Sequence, residues 1–220
     1  PGTAYLAVTG YKLNDFSPYI YKTTDYGRRW KRIDEGLPKD TFVRVVREDP
    51  ARKGLLYAGA EAGMFVSGDD GGTWQPLQLN LPPVPITDLA IRHDTLVAAT
   101  QGRAFWVIDD IAPLRQYEPG HERADAHLYA PTPAYRMTPT SGGVGSGESA
   151  APSAPNGAII YYALADDADL DEEGLTLEIL AADGSVIRTL ETDTEKGIEG
   201  GGGGVSYSLP AEKGINRVVW

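Results

Sequence analysis

Short apolar runs alternate with glycine, proline and charged residues along most of the chain. The runs are four to seven residues long, contain many Val, Ile, Leu, Thr and aromatic residues, and are bounded by turn formers. This pattern predicts β-strands rather than helices. After an initial run at Tyr5–Val8, the predicted strands are Phe42–Glu48, Leu55–Ala60, Met64–Ser67, Thr73–Leu77, Ile86–Arg92, Thr95–Thr100, Ala104–Ile108 and Leu114–Tyr117.

The C-terminal third contains the clearest hairpin pattern. In the segment 175–190, Asp183-Gly184 stands between two alternating runs, and Asp-Gly supplies the positive φ angles that a tight turn requires. Further strands are predicted at Ala158–Leu164, Val205–Leu209 and Ile215–Trp220. A set of short antiparallel strands of this kind favours a β-sandwich.

The first part of the chain contains an internal repeat. The segment Tyr21–Trp30 aligns with Phe65–Trp74 at an offset of 44 residues, and an incomplete third copy follows 40 residues later, ending at Ala104–Ile108. Each copy carries several short strands. A period of 40 to 44 residues with this content is typical of the blades of a β-propeller.

Composition and charge divide the chain into three segments. Gly (26 residues) and Pro (16 residues) are abundant, and they are concentrated with Ser and Ala in residues 131–156. We interpret residues 1–130 as a partial propeller, 131–156 as a linker and 157–220 as a truncated sandwich. The net charge of −11 belongs mainly to the last segment.

Several classes of function are disfavoured by these data. Nucleic acids bind to basic protein surfaces, and this chain is acidic, so we expect no nucleic-acid partner. No apolar run has the length of a membrane span. The absence of cysteine excludes disulfides and thiol nucleophiles. The three histidines have no metal-ligand spacing, and we expect no cofactor and no metal site.

Two octets in the aligned segments share one motif, Ser/Thr-x-Asp-x-Gly-x-x-Trp. The short carboxylate can accept backbone N–H bonds inside its own turn, Gly permits a left-handed conformation, and Trp buries a large ring. All of these roles concern folding. The motif residues are Thr23, Asp25, Gly27 and Trp30 in the first copy, and Ser67, Asp69, Gly71, Thr73 and Trp74 in the second.

These octets resemble the Asp-box of the bacterial neuraminidase (BNR) repeat. The segments 101–115 and 127–136 are similar to the end of the propeller in bacterial sortilin-like and BNR-repeat glycosyl hydrolase proteins, where an immunoglobulin-like module follows. The resemblance implies an all-β fold, a partial Asp-box propeller followed by an immunoglobulin-like sandwich. It also implies that the Asp-box lies at the blade periphery, so its aspartates are poor candidates for catalysis.

The same resemblance implies a fragment of a larger secreted, periplasmic or cell-envelope protein. Its first partner would be the remainder of the propeller, and its ligand a peptide or a glycan. We expect a non-catalytic recognition or scaffold role and nominate no catalytic residue. The alternative is part of a sialidase-like or xyloglucanase-like glycoside hydrolase whose active site is completed by other blades.

Overall fold

The computed structural model describes residues 2–118, 125–134, 157–165, 174–192 and 209–220. Over these residues the chain is an all-β protein of antiparallel sheets, with one short α-helix and one 3-10 turn. It divides into two compact units, Pro1–Tyr117 and Glu118–Trp220. The described residues 118 and 125–130 fall within the second unit, and the division of the chain at residues 130 and 156 stays a prediction. Most of the predicted linker, residues 135–156, lies outside the described residues.

The first unit contains three sheets, each built from strands that are consecutive in sequence. Most of the predicted strands of this unit are confirmed, with ends that move by one or two residues. The first sheet joins β1 (Ala4–Ala7), β2 (Ile20–Thr23) and β3 (Lys31–Arg32). The second joins β4 (Val43–Glu48), β5 (Leu56–Ala60), β6 (Gly63–Ser67) and β7 (Gln75–Pro76), and the third joins β8 (Ile86–Arg92), β9 (Thr95–Thr100) and β10 (Phe105–Ile108).

A helix replaces the last predicted strand of this unit. The segment Leu114–Tyr117 was predicted as a strand, but residues Ala112–Gln116 form helix α1. Pro113 lies in the first turn, where a missing N–H breaks no helical hydrogen bond. The backbone N–H of Ala112 donates to Asp110 Oδ1 at 2.9 Å. The strand prediction was wrong because these start signals for a helix were overlooked.

The sheets repeat in their pairing as well as in their sequence. Residues 20–23 of β2 and 31–32 of β3 correspond to 64–67 of β6 and 75–76 of β7, again at an offset of 44. The β4–β5 and β8–β9 pairs also share a register shift at matching places, after Val43 and after Ile86. The sequence repeat is therefore also a structural repeat.

Two apolar clusters hold the three sheets together. In the first cluster, Ile20 of the first sheet and Ile33 of the loop that follows this sheet pack against Leu56 and Phe65 of the second sheet. The second cluster joins the opposite face of the second sheet, through Tyr57 among others, to the third sheet. All five residues of β5 are buried, because this strand is covered on both faces.

The described residues of the second unit form two sheets. One joins β11 (Ala126–Leu128), β12 (Ile159–Leu164) and β15 (Gly214–Val219), and the other is the hairpin of β13 (Thr176–Leu180) and β14 (Val186–Glu191). The hairpin prediction is confirmed: Gly184 has φ +84° and Asp183 Oδ1 accepts a hydrogen bond from the Ser185 backbone N–H at 3.0 Å. Apolar side chains of both sheets form a single cluster. The predicted strand Val205–Leu209 lies outside the described residues except for Leu209, which is not in a strand.

Close packing between the second and third sheets leaves no room for a side chain at Gly59. A Cβ there would lie 2.6 Å from Ile86 Cγ2 and 2.7 Å from Val45 Cγ1. Both neighbours are β-branched and buried, so they cannot move aside easily. We expect Gly59→Ala to lower the free energy of unfolding by about 1–3 kcal/mol, measured by urea denaturation.

The matched control is Gly68→Ala. Gly68 is exposed, and a Cβ there would meet no atom within 4 Å. Its free energy of unfolding should stay within about 0.5 kcal/mol of the unmodified chain. Equal stability of the two variants would contradict the close packing at Gly59.

Candidate functional site

The first Asp-box residues form a turn immediately after β2. Thr23 Oγ1 donates to Asp25 Oδ1 at 2.9 Å and accepts a hydrogen bond from the Gly27 backbone N–H at 3.0 Å. The Arg29 backbone N–H donates to the same Asp25 oxygen at 2.9 Å. Gly27 has φ +85°, a conformation that favours glycine. The carboxylate is therefore bonded within its own turn.

The second copy repeats the same bonds after β6. Ser67 Oγ donates to Asp69 Oδ1 at 2.8 Å and accepts from the Gly71 backbone N–H at 2.9 Å. The Thr73 backbone N–H donates to Asp69 Oδ1 at 2.9 Å, and the Thr73 hydroxyl adds a bond to Oδ2 at 2.9 Å. Both oxygens of Asp69 are thus occupied. This is the geometry that a folding role requires.

These bonds favour the charged form of both aspartates. The backbone N–H of Arg29 is the main reason why the pKa of Asp25 lies below its ordinary value. Burial by itself would raise the pKa of Asp69, but the hydrogen bonds from Thr73 and Ser67 outweigh it, and the pKa is lowered. A lowered pKa is unsuited to a general acid near neutral pH, which must keep its proton.

The two tryptophans of the motif have different environments, although the sequence treats them alike. Trp74 is 3% exposed, and its indole Nε1 donates to the Ile33 carbonyl oxygen at 2.6 Å. The Trp74 backbone N–H donates to the Glu35 carbonyl oxygen at 3.0 Å. Trp30 is 43% exposed. The second turn is therefore fastened to the loop that follows the first sheet, whereas Trp30 lies at the surface.

A cluster of polar side chains ties the first sheet to the second. The Tyr5 hydroxyl lies 2.6 Å from Asp70 Oδ1 and 3.2 Å from Glu48 Oε1, and Lys22 forms an ion pair with Asp70. Burial, assisted by both carboxylates, raises the pKa of Tyr5 well above its ordinary value. The phenol therefore keeps its proton and serves as a donor. Sequence reasoning missed this cluster, because its members lie on separate repeats.

A second ionic cluster fixes α1 to the sheets. Arg115 donates to the fully buried carboxylate of Asp49 and to the His93 carbonyl oxygen, at 2.9 and 2.6 Å, and forms an ion pair with Asp94. Arg52 donates to the carbonyl oxygens of Leu114 and Tyr117, both at 2.7 Å. The two guanidinium groups donate hydrogen bonds to carbonyl and carboxylate oxygens around the helix. These bonds hold the helix against the sheets.

Carboxylates also line a cleft of about 480 Å³ between the two Asp-box turns. Asp25 and Asp69 reach it but are bonded within their turns, and Asp70 is bonded to Tyr5 and Lys22. Over the part of the chain that the structure describes, no group of three or more His, Cys, Asp or Glu side chains could hold a metal ion. The cleft therefore has no carboxylate that its own fold leaves unbonded.

The loop between β1 and β2 presents aromatic side chains at the end of the sheets. Tyr11 stacks on Phe42 with ring centroids 5.1 Å apart, and Phe16 lies 6.2 Å from the same ring. Tyr11 is 41% and Phe16 46% exposed. Arg44 lies over the Phe42 ring, 5.0 Å from its centroid, and is paired with Glu61. We call these five residues the aromatic platform.

Local bonds hold the aromatic platform's loop in one conformation. A 3-10 turn covers Tyr11–Leu13 and ends at Asn14, which has φ +61°. Asp15 accepts from the Ser17 backbone N–H at 3.0 Å and from the Tyr19 hydroxyl at 2.6 Å. By contrast, β5 and β6 are joined by only two residues. The longer loop therefore adds an ordered surface that the repeat itself does not need.

Comparison with known proteins adds no relative: no protein-family model matches the chain, and no curated protein matches it. In the described residues, no helix is long and apolar enough to cross a membrane.

The Asp69 turn generates a test with a specific pH dependence. We expect Asp69→Ala to lower the free energy of unfolding at pH 7 by about 1–2 kcal/mol, because it leaves turn N–H and hydroxyl donors without their acceptor. A carboxyl with a lowered folded-state pKa stabilises the fold above its unfolded-state pKa of about 4 and loses this effect as the pH falls. The difference between the two proteins should therefore shrink below about pH 4.

Urea denaturation from pH 7 to pH 3 measures this difference. The control is Asp40→Ala, which changes an exposed aspartate outside the two turns. A deficit of Asp69→Ala that stays constant down to pH 3 would contradict a contribution from the ionised carboxylate.

Proposed function

We propose that this chain is part of an Asp-box propeller protein and serves as a non-catalytic recognition scaffold. The repeat of sheets, turns and register shifts at offsets of 43 to 44 residues supports a propeller for the first unit. The two-sheet arrangement around one apolar cluster supports an immunoglobulin-like sandwich for the second. In this proposal the remainder of the propeller is the first partner.

The aromatic platform is the observation that carries the recognition role. Exposed aromatic rings on an ordered loop offer flat apolar surface at little cost in conformational entropy. The Arg44–Glu61 ion pair of the platform supplies hydrogen-bond donors and acceptors beside the rings. Such a combination suits a ligand that has both apolar faces and hydrogen-bonding groups. A glycan or an extended peptide has this chemistry, and either could be met by a secreted or cell-envelope protein.

The use of the acidic side chains supports a non-catalytic role. The Asp-box carboxylates bind their own turns, and Glu48 and Asp70 bind Tyr5, so each has a structural task. The alternative, a glycoside hydrolase completed by other blades, needs a nucleophile or an acid-base pair. Tyr5 lies between two carboxylates and is therefore considered as a nucleophile, but its raised pKa opposes formation of the tyrosinate that would attack a substrate.

Truncation of the platform tests the recognition role. The chain is titrated with xyloglucan oligosaccharides, 3′-sialyllactose and a pool of extended peptides, and binding is followed by amide NMR shifts. We expect one of these probes to shift the resonances of the loop between β1 and β2. Tyr11→Ala should weaken that binding about tenfold, the loss of roughly 1.4 kcal/mol of aromatic contact.

Tyr26→Ala is the matched control, since Tyr26 is an aromatic residue with 82% exposure in the first Asp-box turn, outside the platform. It should leave the affinity unchanged. Equal weakening by both variants, or binding that shifts no platform resonance, would contradict the assignment. New reducing ends from xyloglucan or sialyllactose incubated with the larger propeller protein would instead support the glycoside hydrolase.

A further inference from the structure

Basic side chains follow one edge of the first sheet. Arg29 lies in the first Asp-box turn, Lys31 and Arg32 form β3, and Lys39 lies in the loop that follows. All four residues are exposed. Because β3 is the end strand of its sheet, they lie in or beside a sheet edge rather than on a packed face. We call these four residues the basic edge.

The second repeat shows that this exposure does not arise from the place of the first sheet at the start of the chain. At the offset of 44 residues, the four equivalent positions are Thr73, Gln75, Pro76 and Pro83. These positions are exposed as well, although the first sheet packs against their repeat. Trp30 is different, because its counterpart Trp74 is buried in that contact, and Trp30 is not part of the basic edge.

The fold of the repeat does not need these cations. None of the four equivalent residues in the second repeat is charged, yet β6 and β7 pair in the same register as β2 and β3. Arg29 contributes its backbone N–H to the Asp-box turn, and that bond needs no guanidinium group. Arg32 is paired with Asp34, whereas the side chains of Arg29, Lys31 and Lys39 form no ion pair within the described residues.

The basic edge lines two adjoining clefts of the first unit. Arg29 and Lys31 line the cleft of about 480 Å³ between the two Asp-box turns. Lys31, Arg32 and Lys39 line a larger cleft of about 710 Å³. Both clefts also include backbone of the second Asp-box turn, at residues 71–72. Cations therefore follow one another from the first cleft into the second.

Most carboxylates of the two clefts are engaged by the fold. In the smaller cleft they are bonded within the Asp-box turns or to Tyr5 and Lys22. In the larger cleft Asp34 is paired with Arg32, and Glu35 is exposed and forms no ion pair within the described residues. Three unpaired cations therefore face a single unpaired carboxylate, and the clefts attract anions.

We propose that the basic edge binds an anionic glycan, a sugar chain that carries sulfate or carboxylate groups. Lysine and arginine side chains donate charge-assisted hydrogen bonds to such groups. The apolar lining residues Ile33 and Leu37 are only 5% and 8% exposed, so the clefts offer little surface to the side chains of an acidic peptide. The net charge of −11 opposes a nucleic acid, in which phosphates are densely spaced.

This site is separate from the aromatic platform. The platform loop joins β1 to β2, whereas the first Asp-box turn begins at the opposite end of β2. Neither cleft is lined by any of the five platform residues. The inference therefore does not rest on the proposed function, and a variant of the platform distinguishes the two.

Titration with two charged glycans tests the proposal. The chain is titrated with dextran sulfate oligosaccharides and with oligogalacturonate, and the dissociation constant is measured by calorimetry from low to physiological salt. We expect saturable binding of at least one probe, weakening as salt is added, because screening reduces attraction between exposed charges. The probe that binds more tightly identifies the anionic group as sulfate or carboxylate.

Substitutions on the edge should change this affinity in opposite directions. The double variant Arg29→Gln/Lys31→Gln removes two cations and should weaken binding about tenfold. Glu35→Gln removes the unpaired carboxylate and should strengthen binding about twofold. A gain of affinity cannot result from loss of the fold.

The matched control is the double variant Arg92→Gln/Arg103→Gln. It removes the same net charge from two exposed arginines of the third sheet region, and it should bind like the unmodified chain. Tyr11→Ala, which alters the aromatic platform, should also leave this binding unchanged. Uncharged dextran should not bind.

Four results would overturn the proposal. They are the absence of saturable binding of either charged glycan at low salt, equal weakening by the two double variants, an affinity that Glu35→Gln does not raise, and tighter binding of polyglutamate or oligodeoxythymidine than of either glycan. The last result would assign the edge to an acidic peptide or to a nucleic acid.

Discussion

Burial of the second sheet on both faces is the constraint on which the first unit depends. Every residue of β5 is buried, and each face of this sheet packs into one of the two apolar clusters of the first unit. A strand in that position must be apolar throughout and must accept neighbours at sheet-packing distance on two sides. Gly59 meets this requirement by having no side chain where Val45 and Ile86 converge.

The polar bonds act at the edges of this packed centre and fix how consecutive sheets meet. The Asp69 turn gives the chain a defined exit from β6, and the Trp74 indole then bonds to the preceding repeat. Next to it, Asp70 has φ +63° and takes part in the Tyr5 cluster. One short segment therefore shapes its own turn and also joins two sheets, because its two carboxylates bond to the turn and to the neighbouring sheet.

The sequence was informative where structure is local. Strands β8 and β9 have the predicted bounds, and the Asp183-Gly184 hairpin forms as expected, because alternation and turn chemistry act over a few residues.

Contacts between repeats were not predictable. Tyr5 and Asp70 are 65 residues apart, and no spacing rule brings them together. Likewise, the motif contains Trp30 and Trp74 in equivalent places, and only the neighbouring sheet decides which ring is buried. The aromatic platform was missed for a similar reason, since Phe42 precedes a strand of a different sheet from the loop that carries Tyr11.

The packing of consecutive sheets has a consequence for how the repeat tolerates change. The second sheet packs one face on the first sheet and the opposite face on the third, so a residue of β5 contacts a neighbouring repeat whichever way its side chain points. A substitution in this strand therefore changes the packing between repeats as well as the packing within its own sheet, and the stability of each repeat depends on its neighbours.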